Sequence, residues 1–317
     1  MVAPLATVIV PTLNGAHLLP ECLDSLMQQS YANLEVIVAD GASTDGTPAL
    51  LASAYPSVRR LALRRNAGFS GNVNAGFRAA RGEILCLLNN DAQAEPDWIA
   101  ACVDTLSARP SLGSVASKVL FADRQTINSA GDLFCRDGAA RQRGAGQPDA
   151  PVWNVPGPVF GATGGAAAYR RAMLADTGLL DEAFFMYLED VDLAFRAQLR
   201  GWDCYYQPLA RVYHRGGATG GGVLESYYNG RNLIRLLAKD LPTRLAARML
   251  PDILRYQARR ASAALHAWRG SAARATLRGQ VSGLVGLPAH LAARPTVQRR
   301  RRISDASVYA LLSPGSA

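Results

Sequence analysis

The stretch "EILCLLNNDAQAEPDW", residues 83–98, decides the fold. Its apolar run from Ile84 to Leu88 ends abruptly in Asn89-Asn90-Asp91. A continuous apolar run bounded by polar turn residues reads as a strand buried on both faces, as parallel sheets require. Such a strand presents oxygen-bearing side chains at its carboxyl end, where a divalent cation on a phosphate can be held. Corners of this kind usually carry two acids. This one has a single acid, Asp91, so a working metal corner and a plain polar turn both stand as readings of it.

Upstream, the pattern repeats. "ATVIVPTLN", "LEVIVADGASTDGT" and "VRRLALRRN" give further strands, so strands begin near residues 6, 35, 59 and 83. Between the first two, "LLPECLDSLMQQ" sets Leu18, Leu19, Cys22 and Leu26 at helical spacing, and "TPALLASAY" supplies the next helix. Strand and helix in alternation specify a doubly wound α/β sheet with both faces covered. Ligands of such sheets bind outside the carboxyl ends of the strands, so the endings "TLN", "DGASTDG", "NAGFSGN" and "NND" are expected to converge on one crevice.

From 110 to 160 the pattern loosens into short strands and Gly/Pro-rich loops, where a mobile substrate-covering loop is expected. Order returns at "GATGGAAAYRRAML", with a helix expected from about Glu189 to Arg200 and strands leading to His214. Beyond residue 225 the reading is helical to about 293, broken at Pro242, Pro251 and Pro288.

The chain has 317 residues, 49% hydrophobic and 19% charged, enough for a core and unlike a disordered or collagenous composition. Its five cysteines are scattered without CxxC spacing, which argues against a disulfide framework and a zinc site. The N-terminus lacks the basic region of a signal peptide, and no apolar run reaches the ~18 residues that span a bilayer. The net charge of +9 is uneven. Residues 231–302 hold sixteen Lys or Arg against Asp240 and Asp252, a formal +14, and the other residues sum to −5. An acidic body with a basic tail suggests attachment to an anionic surface.

Taken together, "VIVPTLNG", "VIVADGASTDGT", "NAGFSGNVNAGFRAARG", "LLNND", "FFMYLEDVDLAFR" and "VYHRGG" resemble, in order and spacing, the family 2 glycosyltransferases of the GT-A fold. The resemblance is nearest to the rhamnosyltransferase-like branch that builds bacterial polysaccharides, and it covers about residues 5–235. It implies a GT-A type, Rossmann-like, mostly parallel sheet flanked by helices in a catalytic domain at 1–235, with residues 236–317 as a basic, amphipathic helical extension. It also implies an inverting transfer from a nucleotide-sugar donor, with dTDP-rhamnose the first candidate, to a glycan or lipid-linked glycan hydroxyl.

Within that resemblance Asp40 matches the aspartate that accepts a hydrogen bond from the donor base, with Thr12 and Asn14 beside it or, alternatively, forming a turn and cap. Asn66, Gly71 and Asn74 fall near the donor, where the glycine can equally serve a tight turn. Asn89-Asn90-Asp91 occupies the place of the Asp-x-Asp motif, with Asp91 reaching Mn²⁺ or Mg²⁺ and Asn89 supplying an amide contact. His214 matches the histidine that completes the metal or diphosphate site. Asp190 matches the general base, and Glu189 caps its helix or orients the acceptor. Asp192 and Arg196, four apart, read as an ion pair worth about 0.3–0.5 kcal/mol if exposed. Trp202 stacks on an acceptor sugar or fills the core, and Arg231 with Asn232 lies near the diphosphate or on a basic helix face. "GGATGGG" at 216–222 reads as a loop able to close over donor.

In the tail, Leu233, Leu237, Leu241, Leu245 and Met249 repeat every four residues beside Arg231, Arg235, Lys239, Arg244 and Arg248. Basic amphipathic helices suit an anionic leaflet, which places the chain in the cytoplasm, peripheral to the inner face of the cell membrane. Packing of this stripe on the catalytic domain, or on a second subunit in a homodimer, is the other reading. The rivals in function are a sugar-1-phosphate nucleotidyltransferase, whose Gly-rich basic loop is absent after the first strand, and a non-catalytic nucleotide-sugar or membrane-binding scaffold. No nucleic-acid motif accompanies the charge.

Overall fold

The computed structural model describes residues 3–216 and 222–315. Strands β1 (Ala6–Thr12), β2 (Leu34–Asp40), β3 (Arg59–Ala62) and β4 (Ile84–Leu88) alternate with helices α1 (Leu19–Met27), α2 (Thr47–Ala54) and α3 (Gly68–Ala79). They lie in the order β3-β2-β1-β4 with every pairing parallel. Every residue of β1 and β4 is buried, because helices cover both faces of the sheet.

Next come β5 (Ala92–Ala94), α4 (Trp98–Ala108), β6 (Leu112–Phe121), β7 (Ile127–Ser129), β8 (Asp132–Phe134) and β9 (Ala140–Gln142). They are followed by β10 (Gly157–Val159), β11 (Ala166–Arg170), α5 (Arg171–Thr177), α6 (Glu189–Leu199) and β12 (Asp203–His214). Antiparallel β11 joins β4 to β6, which pairs parallel with β12. β5 runs antiparallel to the end of β12 and sets His214 opposite Ala92. That pairing carries the end of a distant strand to the residue after Asp91. Two apolar clusters cover the two sheet faces, one containing Trp98, whose Nε1 donates to Ser117 Oγ at 2.8 Å, and the other Phe77 and Tyr206. The five cysteines are free and buried.

Five helices close the chain: α7 (Gly222–Asp240), α8 (Thr243–His266), α9 (Ser271–Val285), α10 (Leu287–Gln298) and α11 (Asp305–Leu311). Here the structure chooses between the two readings of the tail. The four-residue stripe does not face outward: Leu233, Leu241, Leu245 and Met249 are buried in one cluster with Phe134, Phe184 and Phe195, and Leu237 packs against it. Arg235 and Lys239, expected on a basic surface, are buried as well. A period of four marks an apolar face without saying whether protein or lipid covers it, and protein does, at about 1.5–3 kcal/mol per buried aliphatic side chain.

Pro251 lies inside α8 and does not break it. It is on the exposed side, as is Ala247 one turn earlier, so the carbonyl deprived of its donor can turn to water. Asp192 and Arg196 form their ion pair at 2.7 Å, but in the interior. Asp192 also meets Lys239, and Arg196 donates to the carbonyls of Thr177, Gly178 and Leu179. Most of the glycine loop, residues 217–221, lies outside the described residues.

Candidate active site

A cavity of about 630 Å³ opens at the carboxyl ends of β4 and β12, lined by Asn89, Asp91, Asn128, Asp132, Glu189, Asp190 and His214 among others. Five of the residues singled out from the sequence thus come together on its wall: Asn89, Asp91, Glu189, Asp190 and His214.

The β4 tip is held from β1. Asn90 Nδ2 donates to Thr12 Oγ1 at 2.9 Å, with both side chains buried. Gly15 permits the arrangement, since a Cβ there would sit 2.1 Å from Thr12 Oγ1 and 2.7 Å from Asn90 Nδ2. With Asn90 turned inward, Asn89 and Asp91 face the cavity. His214 Nε2 lies 3.1 Å from Asp91 Oδ1 and 3.4 Å from Asn89 Nδ2, and its Nδ1 lies 3.2 Å from Asn128 Oδ1. A proton on Nδ1, donated to Asn128, leaves the Nε2 lone pair facing a carboxylate oxygen. Two acceptors at that distance call for a proton or a cation between them. The buried Asn89 Oδ1 has no partner. An imidazole nitrogen, a carboxylate and an amide oxygen form a donor set that fits Mn²⁺ or Mg²⁺, with the remaining positions left to substrate oxygens and water. Among the described residues there is no group of three His, Cys, Asp or Glu able to hold a metal.

The opposite wall begins at α6. The residues before it bend sharply: Phe185, Tyr187 and Leu188 have φ of 67°, 66° and 67°. Left-handed non-glycine residues cost on the order of 1–3 kcal/mol each, so they persist only where surroundings hold them. Here Asn232, fully buried on α7, donates from Nδ2 to the carbonyls of Phe184, Met186 and Tyr187 at 3.0, 2.9 and 2.8 Å. Ser70 N–H takes the Phe185 carbonyl from the α3 side, and the Phe185 ring stacks on Tyr228. Gly68, at φ 75°, leaves room for that ring, which a Cβ would approach to 2.5 Å.

This clamp fixes Glu189 and Asp190 in the first turn of α6. Asp190 Oδ2 accepts from Gly164 N–H at 2.7 Å and Oδ1 from Val191 N–H at 2.8 Å. Burial raises its proton affinity, and those two amides offset part of the rise. Burial and the neighbouring Asp190 charge push Glu189 well above the usual carboxylate range, and its Oε2 has no partner.

Sequence reasoning missed Asp132 and Asn128. Asp132, on β8, is 3% exposed, lines the cavity and leaves Oδ2 unpartnered. Burial, then the charge of Asp190, raises its pKa well above the usual value. Both residues lie where the chain shows no periodicity, and no spacing pointed to them.

The other candidates take up positions off the cavity wall. Asp40, fully buried, receives Arg60 Nε and Nη2 at 2.9 and 2.7 Å and Ser43 N–H at 2.8 Å, so both its oxygens are engaged within the protein. Asn14, at φ 52°, accepts from Thr44 N–H, and Asn66 from Gly68 N–H. Asp45 accepts from Ala16 and Thr47 N–H groups, as a turn residue does. Asn74 is buried and exchanges hydrogen bonds with the backbone of Leu180. Gly71 is buried against Ala67. Arg231 donates to the Ala183 carbonyl at 3.1 Å. Trp202 takes the core position that was its other reading: its Nε1 donates to Asp176 at 2.9 Å, and the side chain packs on the core with its Cβ beside Gly113.

A family model described as glycosyl transferase family 2 matches residues 7–178. An N-acetylglucosaminyl-diphospho-decaprenol L-rhamnosyltransferase of Mycobacterium tuberculosis is 30% identical over 94% of this chain and 95% of its own length. Among solved structures, a mannosyltransferase of Pyrobaculum calidifontis in complex with GDP-Man and Mn2+ superposes with TM-score 0.55 at 21% identity, over 97% of this chain and 79% of that one. TarS of S. aureus, residues 1–349, superposes with TM-score 0.56 at 17% identity, over 79% and 70% of the two chains.

Proposed function

Because the chain belongs to glycosyl transferase family 2, we propose that it is an inverting, cation-assisted glycosyltransferase acting on a lipid-linked glycan acceptor. The donor favoured is dTDP-rhamnose, by the similarity to a rhamnosyltransferase whose named acceptor is an N-acetylglucosaminyl-diphospho lipid. The observation that carries the reading is the placement of Asp190, a carboxyl of raised proton affinity, across the same cavity from the Asp91–His214 corner.

In this scheme Asp190 takes the proton of the acceptor hydroxyl. The freed oxygen forms a bond to the anomeric carbon from the side opposite the nucleotide, the bond from that carbon to the diphosphate breaks, and configuration inverts. Asp91, His214 and Asn89 would hold the cation, which supplies positive charge to the departing diphosphate. Gly164 and Val191 N–H groups hold the Asp190 carboxylate in place. Asn232 keeps the strained 184–188 segment, and with it the start of α6, in position. Thr12 acts on the site through Asn90, and Asp40 through the β2 tip that it ties to Arg60.

No described helix is long and apolar enough to cross a membrane. Work at the inner face of the cell membrane, held there peripherally, follows from a lipid-linked acceptor and the basic C-terminal charge. A panel of nucleotide sugars with a polyprenyl-diphosphate-linked acceptor, with Mn²⁺ and with chelator, tests the reading. Nucleotide diphosphate release and a glycosylated acceptor are expected. Absence of both with every donor contradicts transfer.

A further inference from the structure

We propose that the corner joining α9 to α10, together with the adjoining edge of α8, is a docking surface for an anionic lipid bilayer; the proposal rests on the lipid-linked acceptor argued above. Residues 280–293, "QVSGLVGLPAHLAA", contain no Asp, Glu, Lys or Arg. The structure turns four of their five large apolar side chains outward, with Val281 60%, Leu284 60%, Val285 75% and Leu291 47% exposed. α8 and α9 form a hairpin about residues 267–270, and Gln280 Nε2 donates to the Gln257 carbonyl at 3.1 Å. That contact fixes the level at which the helices meet and brings Leu250 and Leu254, 49% and 58% exposed, beside the same end of α9.

The outward turn follows from how α9 packs. Gly279 and Gly283 bring its backbone against α7, where a Cβ would stand 2.2 Å from the Tyr227 carbonyl oxygen and 2.9 Å from that of Arg231. The face that meets protein is therefore made of small residues, and the bulky aliphatic ones face away from it.

Charge identifies the partner. Residues 243–302 carry thirteen arginines and a single acid, Asp252. Arg274 and Arg278 are exposed on the same helical stripe as Val281 and Val285, and Arg299 and Arg300 are exposed just beyond α10. A nucleic acid would use the arginines and leave six exposed aliphatic side chains idle. A bilayer uses both, taking the aliphatics at the acyl boundary and the guanidinium groups at the headgroup phosphates. The position suits the site as well. α7 touches this corner at Arg231 and, on its other side, holds the 183–187 segment beside the cavity through Arg231 and Asn232. One helix, about 10 Å across, thus separates the docking corner from the wall that carries Asp190.

Co-sedimentation of the full chain with phosphatidylglycerol/phosphatidylethanolamine vesicles, and with phosphatidylcholine alone, tests this. Binding to the anionic vesicles that weakens with salt is expected, and the Val281→Ser/Leu284→Ser/Val285→Ser variant should partition about tenfold less with an unchanged melting temperature. A fluorophore on Leu284→Cys, selective because the native cysteines are buried, should shift to the blue on the same vesicles. Failure of the wild type to bind, binding of the triple variant at the wild-type level, a solution dimer that the triple variant dissolves, or capture by RNA in place of vesicles would each overturn the proposal. The vesicle assay contains neither donor nor acceptor, so its failure leaves glycosyl transfer standing. Failure of the donor panel, in turn, would remove the acceptor on which the proposal rests, while the vesicle assay still reads binding directly.

Discussion

His214 Nε2 lies 3.1 Å from Asp91 Oδ1 although 123 residues separate them, because β12 ends antiparallel to β5 with His214 opposite Ala92. The sheet itself assembles the corner. If this pair holds a cation on the donor diphosphate, Asp91→Asn and His214→Ala should each lower Mn²⁺ affinity, measured with nucleotide diphosphate by electron paramagnetic resonance, by at least about tenfold. Asn89→Asp, which turns a neutral amide oxygen into a charged carboxylate ligand, should tighten it. Equal Mn²⁺ binding across the set would remove the corner from metal binding.

Asn232 supports the site from behind. Removing its amide leaves the buried Phe184 carbonyl, and those of Met186 and Tyr187, without that donor and frees a segment with three left-handed residues. Asn232→Leu should cost about 1–3 kcal/mol in urea unfolding and lower kcat. Full kcat in a destabilised variant would mean that the clamp serves folding alone.

The pH dependence follows from Asp190. Its folded pKa is raised above the ordinary 3.8 by burial. A base must be ionised, so kcat/KM should be full above the raised pKa and fall as pH drops through it, with the acid limb above 3.8. Asp132 is buried and feels the Asp190 charge, so the Asp132→Asn change should move that limb downward. An unmoved limb would separate the two carboxyls.

Asp192 links the catalytic helix to α7. Burial opposes its ionisation, but Arg196 and Lys239 outweigh burial and lower its pKa. A group depressed in the folded state stabilises above its unfolded pKa of about 3.9 and loses that contribution as pH falls toward the folded value. Asp192→Asn should therefore destabilise by about 3–5 kcal/mol at pH 7, because buried Arg196 loses its counter-charge while Lys239 keeps Asp181 close by, with the deficit shrinking in acid. A pH-independent deficit would contradict the ion-pair origin.

The parallel half of the fold was legible because β1, β2 and β4 are continuous apolar runs with polar endings, a pattern set by burial on both faces. The start of α6 and the meeting of Asp91 with His214 were legible through motifs. What stayed hidden depends on partners chosen in three dimensions. Asp40 faces Arg60, Asn74 faces Leu180, and Trp202 finds Asp176, none of which a spacing reveals. The Leu233–Met249 stripe misled for the same reason, and the exposed apolar surface lies at Val281–Leu291, where small residues on the inner face of α9 push it outward.

The most direct test is Asp190→Asn, assayed for sugar transfer and for nucleotide-diphosphate binding in the same preparation. Asparagine keeps the shape and cannot accept the acceptor proton. Transfer should fall about 10²–10⁴-fold while nucleotide affinity stays near the wild-type value. Transfer at a substantial fraction of the wild-type rate would show that Asp190 is not the base.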